Sequence, residues 1–231
     1  MRYIGSIRFW RTVHLWLSLL LSVQLLAWFG SGLVMSILPI DEVHGDHLRA
    51  PIPHINWQLA TLSPAQLSVQ SGMLSIRQRG DMPVYQLHQG SKIQFFSALD
   101  GNELSPLTEP ELRTLAQAAY SGSGSLQHAQ LIKELPLEAR GLPTPVWQVQ
   151  FKDTDNTVFY LEPTLGQLLR VRSDNWRIFD FVWMLHIMDY DQRDNFNHAL
   201  LIASSALALL FTLSGLVLLV FTLRRKAGRP H

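Results

Sequence analysis

The sequence predicts an α+β membrane protein in which two transmembrane helices flank one soluble domain of antiparallel strands with covering helices. Three observations carry the prediction. Two long runs, 15–38 and 199–223, contain no charged residue. All 18 acidic residues lie between Asp41 and Asp194, and a strand-like pattern occurs twice within that stretch.

The first run follows Arg2, Arg8 and Arg11. At about 1.5 Å per residue its 24 residues reach about 36 Å as a helix, enough to cross a hydrocarbon core of about 30 Å with some tilt. Core helices of soluble proteins seldom exceed about 20 residues and usually carry a polar stripe. A cleavable signal peptide is the stronger rival, because the run has a basic start. The apolar stretch is longer than the usual h-region of about 7–15 residues, however, and no small-x-small site follows at a suitable distance. An uncleaved anchor is therefore expected.

Orientation follows from charge. The 41–194 stretch holds 12 of the 19 Lys and Arg and has a net charge of −6, while the two flanks carry +7, for a total of +1. Short Lys/Arg-rich flanks stay cytoplasmic, whereas a long acidic segment is translocated readily. The expected layout is a cytoplasmic N-terminus (1–13), a transmembrane helix (14–38), an outer α+β domain of two similar halves (39–174), an interfacial amphipathic helix with its connector (175–194), a second transmembrane helix (195–223) and a basic cytoplasmic tail (224–231). The absence of cysteine removes disulfides, thiolate metal sites and cysteine nucleophiles together. The outer domain must stand on its hydrophobic core, which about 155 residues can supply.

Within that domain, Val84-Tyr85-Gln86-Leu87, Phe95-Phe96 and Asp100-Gly101-Asn102-Glu103-Leu104 recur as Val146-Trp147-Gln148-Val149, Phe159-Tyr160 and Leu165-Gly166-Gln167-Leu168-Leu169, at an offset of 62 to 65 residues. Each copy alternates apolar and polar residues, breaks at a polar turn, alternates again and reaches a Gly turn, as a half-exposed antiparallel meander does. Thr108-Glu109-Pro110-Glu111 reads as a capping box, so a helix is expected to run to about Tyr120. Ser121-Gly122-Ser123-Gly124-Ser125 reads as a break, and 126–134 as either a short helix or a strand. Each half is expected to have a helix covering one face of its sheet.

The segment from Pro145-Val146-Trp147-Gln148-Val149-Gln150-Phe151 to Val158-Phe159-Tyr160-Leu161-Glu162-Pro163-Thr164-Leu165-Gly166-Gln167-Leu168-Leu169 resembles the end of a PepSY domain. Arg11-Thr12-Val13-His14-Leu15-Trp16-Leu17 is similar to the start of a PepSY-associated transmembrane helix. Phe181-Val182-Trp183-Met184-Leu185-His186 and Leu213-Ser214-Gly215-Leu216-Val217 are similar to its closing segments. The resemblance implies a bacterial inner-membrane protein with its central domain in the periplasm. Larger relatives include ferric-siderophore reductases with four transmembrane helices, which bind haem b through histidines. With only two helices here, the resemblance implies a reduced site in one chain, or an assembly of two.

Of nine histidines, His54, His88, His128 and His231 read as surface side chains. His44 and His47, with Asp41, Glu42 and Asp46, form a cluster that reads either as a weak divalent-metal site or as a solvated loop. His14, His186 and His198 stand at membrane boundaries in aromatic surroundings. Burying an unpaired ionisable group there costs on the order of 2–5 kcal/mol, and neutral imidazole suits haem iron. These three are the candidate haem and iron ligands. The competing reading is that they reach into the headgroups beside Trp10, Trp16, Trp176 and Trp183.

His14 and His198 are expected roughly 30 Å apart along the membrane normal, and two axial nitrogens must each lie about 2 Å from one iron, so these two cannot share a haem. His186, on an amphipathic helix, could approach His198 or a second chain. A symmetric dimer would supply a second His14, and Gly30, Ser31-Gly32, Ser204, Ala208 and Thr212 would permit close helix approach.

The expected function is a haem b electron-transfer component, in effect part of a membrane reductase, linked to periplasmic iron or siderophore reduction. Its expected partners are the lipid bilayer, a quinol or protein electron donor, and a homodimer or larger membrane complex. Nucleic acid is not expected as a partner. No nicotinamide or flavin fingerprint and no Ser-His-Asp arrangement is legible. The alternatives are a noncatalytic, membrane-anchored binding or regulatory module and an accessory subunit of a transporter.

Overall fold

The computed structural model of the protein describes residues 6–67 and 71–227. Arg2, His231 and the end of the basic tail (228–231) lie outside the described residues. In chain order the elements are α1 (Ile7–Ile37), the short α2 (Ile40–His44), β1 (Met73–Arg79), β2 (Met82–Gln89), β3 (Lys92–Ser97), α3 (Glu109–Ala118), β4 (Ser125–Ile132), β5 (Val146–Lys152), β6 (Val158–Leu161), β7 (Leu168–Arg172), α4 (Asp174–Ile187) and α5 (Ala199–Ala227). The protein is α+β, with two antiparallel sheets and a long apolar helix toward each end. It divides into two compact units. One is built from the two ends of the chain, up to Leu38 and from Ile178 onward, and the other is Pro39–Arg177.

In the first unit α1 and α5 pack side by side and antiparallel, His14 in the first half of α1 lying against Phe211 and Ser214 at the middle of α5. Both helices are long and apolar enough to cross a membrane by length and composition. Only 11% and 6% of their apolar windows are buried, so neither is the core helix of a globular unit. Helix α1 begins earlier than the apolar run alone suggests, because the Ser6 hydroxyl caps it by accepting from the Phe9 amide at 3.2 Å. At the far end of the chain α5 runs past Arg224 and Arg225, cations that suit a helix C-terminus.

Helix α4 lies on the span expected of an amphipathic helix, beginning one residue earlier. Ile178 and Phe181 are exposed, and the buried positions are Asp180, Val182 and Ile187. A carboxylate at a buried position needs a partner, and Arg193 supplies one to Asp180 at 2.5 Å.

In the second unit, β4-β5-β6-β7 form a four-stranded meander. Period-2 alternation sends Trp147, Val149, Phe151, Phe159, Leu161 and Val171 to one face, where α3 covers them with Leu112 and Ala116. Val146, Val158 and Tyr160 go to the other face, where Ala139 and Leu142 pack. The segment 126–134, read as helix or strand, is strand β4. Its register slips between Leu126 and His128, and this bulge blurs the alternation that would have marked it. The capping box before α3 is formed, with the Thr108 amide donating to Glu111 Oε2 at 2.8 Å.

The first repeat builds a smaller sheet, β1-β2-β3. Its expected third strand is reduced to a bridge between Phe96 and Glu103. Among the described residues no α-helix covers this sheet. Its apolar face, centred on Tyr85 and Ala98, is covered instead by Ala60, Leu62 and Leu67, from a segment with 3₁₀ turns at Trp57–Leu59 and Pro64–Gln66. Pro51, Pro53 and Pro64 leave no room there for an uninterrupted helix.

Candidate functional site

Three imidazoles in the first unit were expected to carry the chemistry, and their ring nitrogens have different fates. His14 Nδ1 lies 2.8 Å from Ser214 Oγ. That hydroxyl donates to the Phe211 carbonyl, three residues back, at 2.7 Å. A hydroxyl has one proton and a carbonyl can only accept, so with that proton directed at the Phe211 carbonyl the Ser214 oxygen accepts from His14. His14 is therefore the Nδ1–H tautomer, with its lone pair on Nε2. The Phe211 ring stacks on the imidazole, with centroids 4.5 Å apart and planes 9° from parallel.

His186 repeats the arrangement on α1. Its Nδ1 lies 2.9 Å from Ser31 Oγ, and that hydroxyl reaches the Trp28 carbonyl, again three residues back, at 3.1 Å. The Trp28 indole N–H donates to the His186 carbonyl at 2.7 Å, fixing the backbone as well as the ring. Each serine is followed by a glycine against the imidazole. A Cβ placed on Gly215 would stand 3.3 Å from His14 Cε1, and one on Gly32 would stand 3.7 Å from His186 Cε1. Both serines are buried.

His198 differs. Its Nε2 lies 2.9 Å from the Ile187 carbonyl, which it can only approach as a donor, and its Nδ1 accepts from the Leu201 amide at 3.3 Å. With both nitrogens engaged it caps the start of α5 and has no lone pair to offer. The outer pairing of His186 with His198 is accordingly not what this geometry favours. His14 and His186 fit the chemistry of an axial haem ligand, which needs a neutral imidazole with one free nitrogen and its other N–H held by an acceptor. His198 does not.

The two available nitrogens belong to opposite ends of the helix pair. Residues 14 and 31 of α1 are separated by about 26 Å of helical rise, so His14 and His186 cannot meet on one iron. Each end of one chain offers one imidazole. Of the small residues read as a packing stripe, Ser31 and Gly32 are taken up by His186, and Ser204 is buried. Gly30 faces open space, and Thr212 is exposed, its hydroxyl turned back to the Ala208 carbonyl.

Elsewhere, His47 lies 3.9 Å from Asp155. No group of three or more His, Cys, Asp or Glu among the described residues is arranged to hold a metal ion. In the second unit Glu138 takes a proton donor on each oxygen, Tyr160 at 2.8 Å and Arg177 at 2.9 Å. Burial, and then the Glu138 charge, push the Tyr160 phenol well above its ordinary value. Burial, and then Arg170, pull Arg172 down to about 9, which leaves it cationic at neutral pH above the Trp176 ring, 3.8 Å from its centroid. This network is internally satisfied and structural in character.

The seats of His14 and His186 were not legible in the sequence, because the serine partners lie 200 and 155 positions away. The recurrence of Ser-Gly in two apolar runs is the trace they leave. No protein-family model, no curated protein and no solved structure matches the chain.

Proposed function

We propose that this chain is a two-helix inner-membrane protein with a PepSY-like periplasmic domain, and that it serves as a haem b electron-transfer component for reduction of an iron chelate on the periplasmic side. The observation that carries the proposal is the pair of serine-held imidazoles. At each end of an apolar helix pair, a buried hydroxyl fixes one histidine with its Nε2 lone pair free. Ionisable side chains placed in such surroundings mark function rather than stability. The basic flanks and acidic middle support an orientation with both termini cytoplasmic.

Bound haem b would supply a one-electron Fe(III)/Fe(II) couple at each end. The serine hydroxyls of this chain orient the two imidazoles. Because one chain offers one imidazole per end, two copies related by a two-fold axis would complete two bis-histidine sites. Gly30, with open space where a Cβ would be, supports close approach of a second copy. The ferric chelate as acceptor rests on the resemblance to siderophore reductases alone.

The test is an ultraviolet-visible spectrum of the detergent-purified protein, oxidised and then dithionite-reduced. The expected result is a Soret band that shifts on reduction, with sharp α and β bands and one haem per chain. His14→Ala and His186→Ala should each remove half of the haem, while His198→Ala should keep the spectrum and lose only a helix cap, worth about 1 kcal/mol. A featureless spectrum from folded, haem-supplemented protein would sink the haem reading and leave a membrane-anchored binding domain.

A further inference from the structure

The two histidine seats are built to one plan from unrelated stretches of chain. In each, a histidine on one helix meets a Ser-Gly pair on another, His14 of α1 on Ser214-Gly215 of α5 and His186 of α4 on Ser31-Gly32 of α1. In each, the serine hydroxyl donates its one hydrogen bond to a carbonyl of its own helix and so has only an acceptor left for the imidazole. In each, a glycine lies beside the ring, tightly at Gly215 and at ordinary contact distance at Gly32. His198, in the same unit, is the opposite tautomer, with its proton on Nε2.

We propose that Ser31 and Ser214 are positioning residues. They lock His186 and His14 as Nδ1–H tautomers and turn both Nε2 lone pairs outward toward a haem iron, and the ligand part of this statement rests on the haem reading above. An acceptor on the Nδ1 proton makes Nε2 the more basic nitrogen and strengthens it as a ligand to the oxidised metal. Removing the hydroxyl frees the ring to rotate and to move its proton to Nε2, which closes the coordinating position.

Two measurements on the full-length chain in lipid nanodiscs separate the parts of this inference. In haem-free protein with ¹⁵N-labelled histidine, held well above the ordinary imidazole pKa, His14 and His186 should show a protonated Nδ1 and His198 a protonated Nε2. Ser214→Ala should alter the His14 signal and leave His186 unchanged, and Ser31→Ala the reverse, so the untouched end reports that each variant is folded. A protonated Nε2 in the wild type at His14 or His186, or signals indifferent to the serines, overturns the tautomer lock.

In the haem-loaded protein, each serine variant should hold haem about 10–100-fold more weakly at its own end and raise the midpoint potential there. Wild-type haem binding with affinities and potentials that ignore the serines would overturn the positioning role while leaving the haem reading intact. Absence of haem from the wild type, with the tautomers as stated, would overturn the haem reading while the tautomer lock stood.

Discussion

At the scale of single residues, the glycines beside the two imidazoles should answer differently to the same methyl group. A Cβ on Gly215 would sit 3.3 Å from His14 Cε1, closer than ordinary contact, and the Phe211 ring stacked on the same imidazole limits its retreat. At Gly32 the distance to His186 Cε1 is 3.7 Å, an ordinary contact. Gly215→Ala should therefore displace His14 by a few tenths of an ångström and broaden or lower the absorbance of one haem, whereas Gly32→Ala should leave both bands intact. Reduced-minus-oxidised difference spectra of the two variants decide it, and equal effects would contradict the close seat at His14. The histidines were visible in the sequence because an ionisable group at the edge of an apolar run stands out. Their partners were not, since a serine inside an apolar helix is indistinguishable from the many that bond back to their own carbonyls, as Ser36 does to Gly32. His198 is placed differently, for a related reason. Its position beside a helix start was readable, but its use of both nitrogens depends on the Ile187 carbonyl, placed by the α4–α5 connection.

At the scale of elements, legibility followed the range of the forces involved. The capping box at Thr108 and Glu111 is a four-residue device and was readable as such, while the covering of the first sheet by Ala60, Leu62 and Leu67 and the slip in β4 depend on prolines and pairings spread along the chain. One clasp between elements carries a pH signature. Tyr120, just after α3, donates to Asp153 Oδ2 at 2.6 Å and accepts from the Gly124 amide at 3.2 Å, while the Thr157 amide donates to Asp153 Oδ1 at 2.9 Å. Burial, and then the bond to Asp153, push the Tyr120 phenol up to about 12. At Asp153 burial acts upward, but the bonds from Thr157 and Tyr120 prevail and hold the carboxyl below its ordinary value. The signs follow from linkage. The phenol's contribution is complete below its unfolded value of about 10 and is lost as pH climbs from there toward 12. The carboxylate's contribution is complete above its unfolded value of about 3.9 and is lost as pH falls through the lower folded value. Tyr120→Phe should cost about 1 kcal/mol and flatten the alkaline limb of stability, and Asp153→Asn should flatten the acid limb. Denaturant unfolding of the full-length chain in detergent, followed by tryptophan fluorescence across pH, reads both. An unchanged alkaline limb in Tyr120→Phe would show that the clasp does not bear on stability.

At the scale of the whole molecule, one chain has two separated imidazoles and a bis-histidine haem would need two at one end, so the proposed haem sites depend on assembly. On the proposed orientation, with both basic flanks cytoplasmic, two copies in one membrane face the same way, and that orientation disfavours an antiparallel pair that would set His14 against His186. A parallel two-fold dimer instead pairs His14 with the partner's His14 and His186 with the partner's His186. Mixing two defective chains tests this arrangement. A dimer of two His14→Ala chains keeps both ligands at one end and should hold one low-spin haem, and a dimer of two His186→Ala chains should do the same at the other. A mixed dimer, isolated through two different tags, has one histidine at each end and a complete pair at neither. It should lose the low-spin spectrum that both parents retain. If instead each haem drew its second ligand from within the same chain, the mixed dimer would keep one intact site per chain, just as its parents do, and its spectrum would equal their average. That outcome would remove the two-fold site, while leaving the serine-held imidazoles in place as ligands of a different assembly.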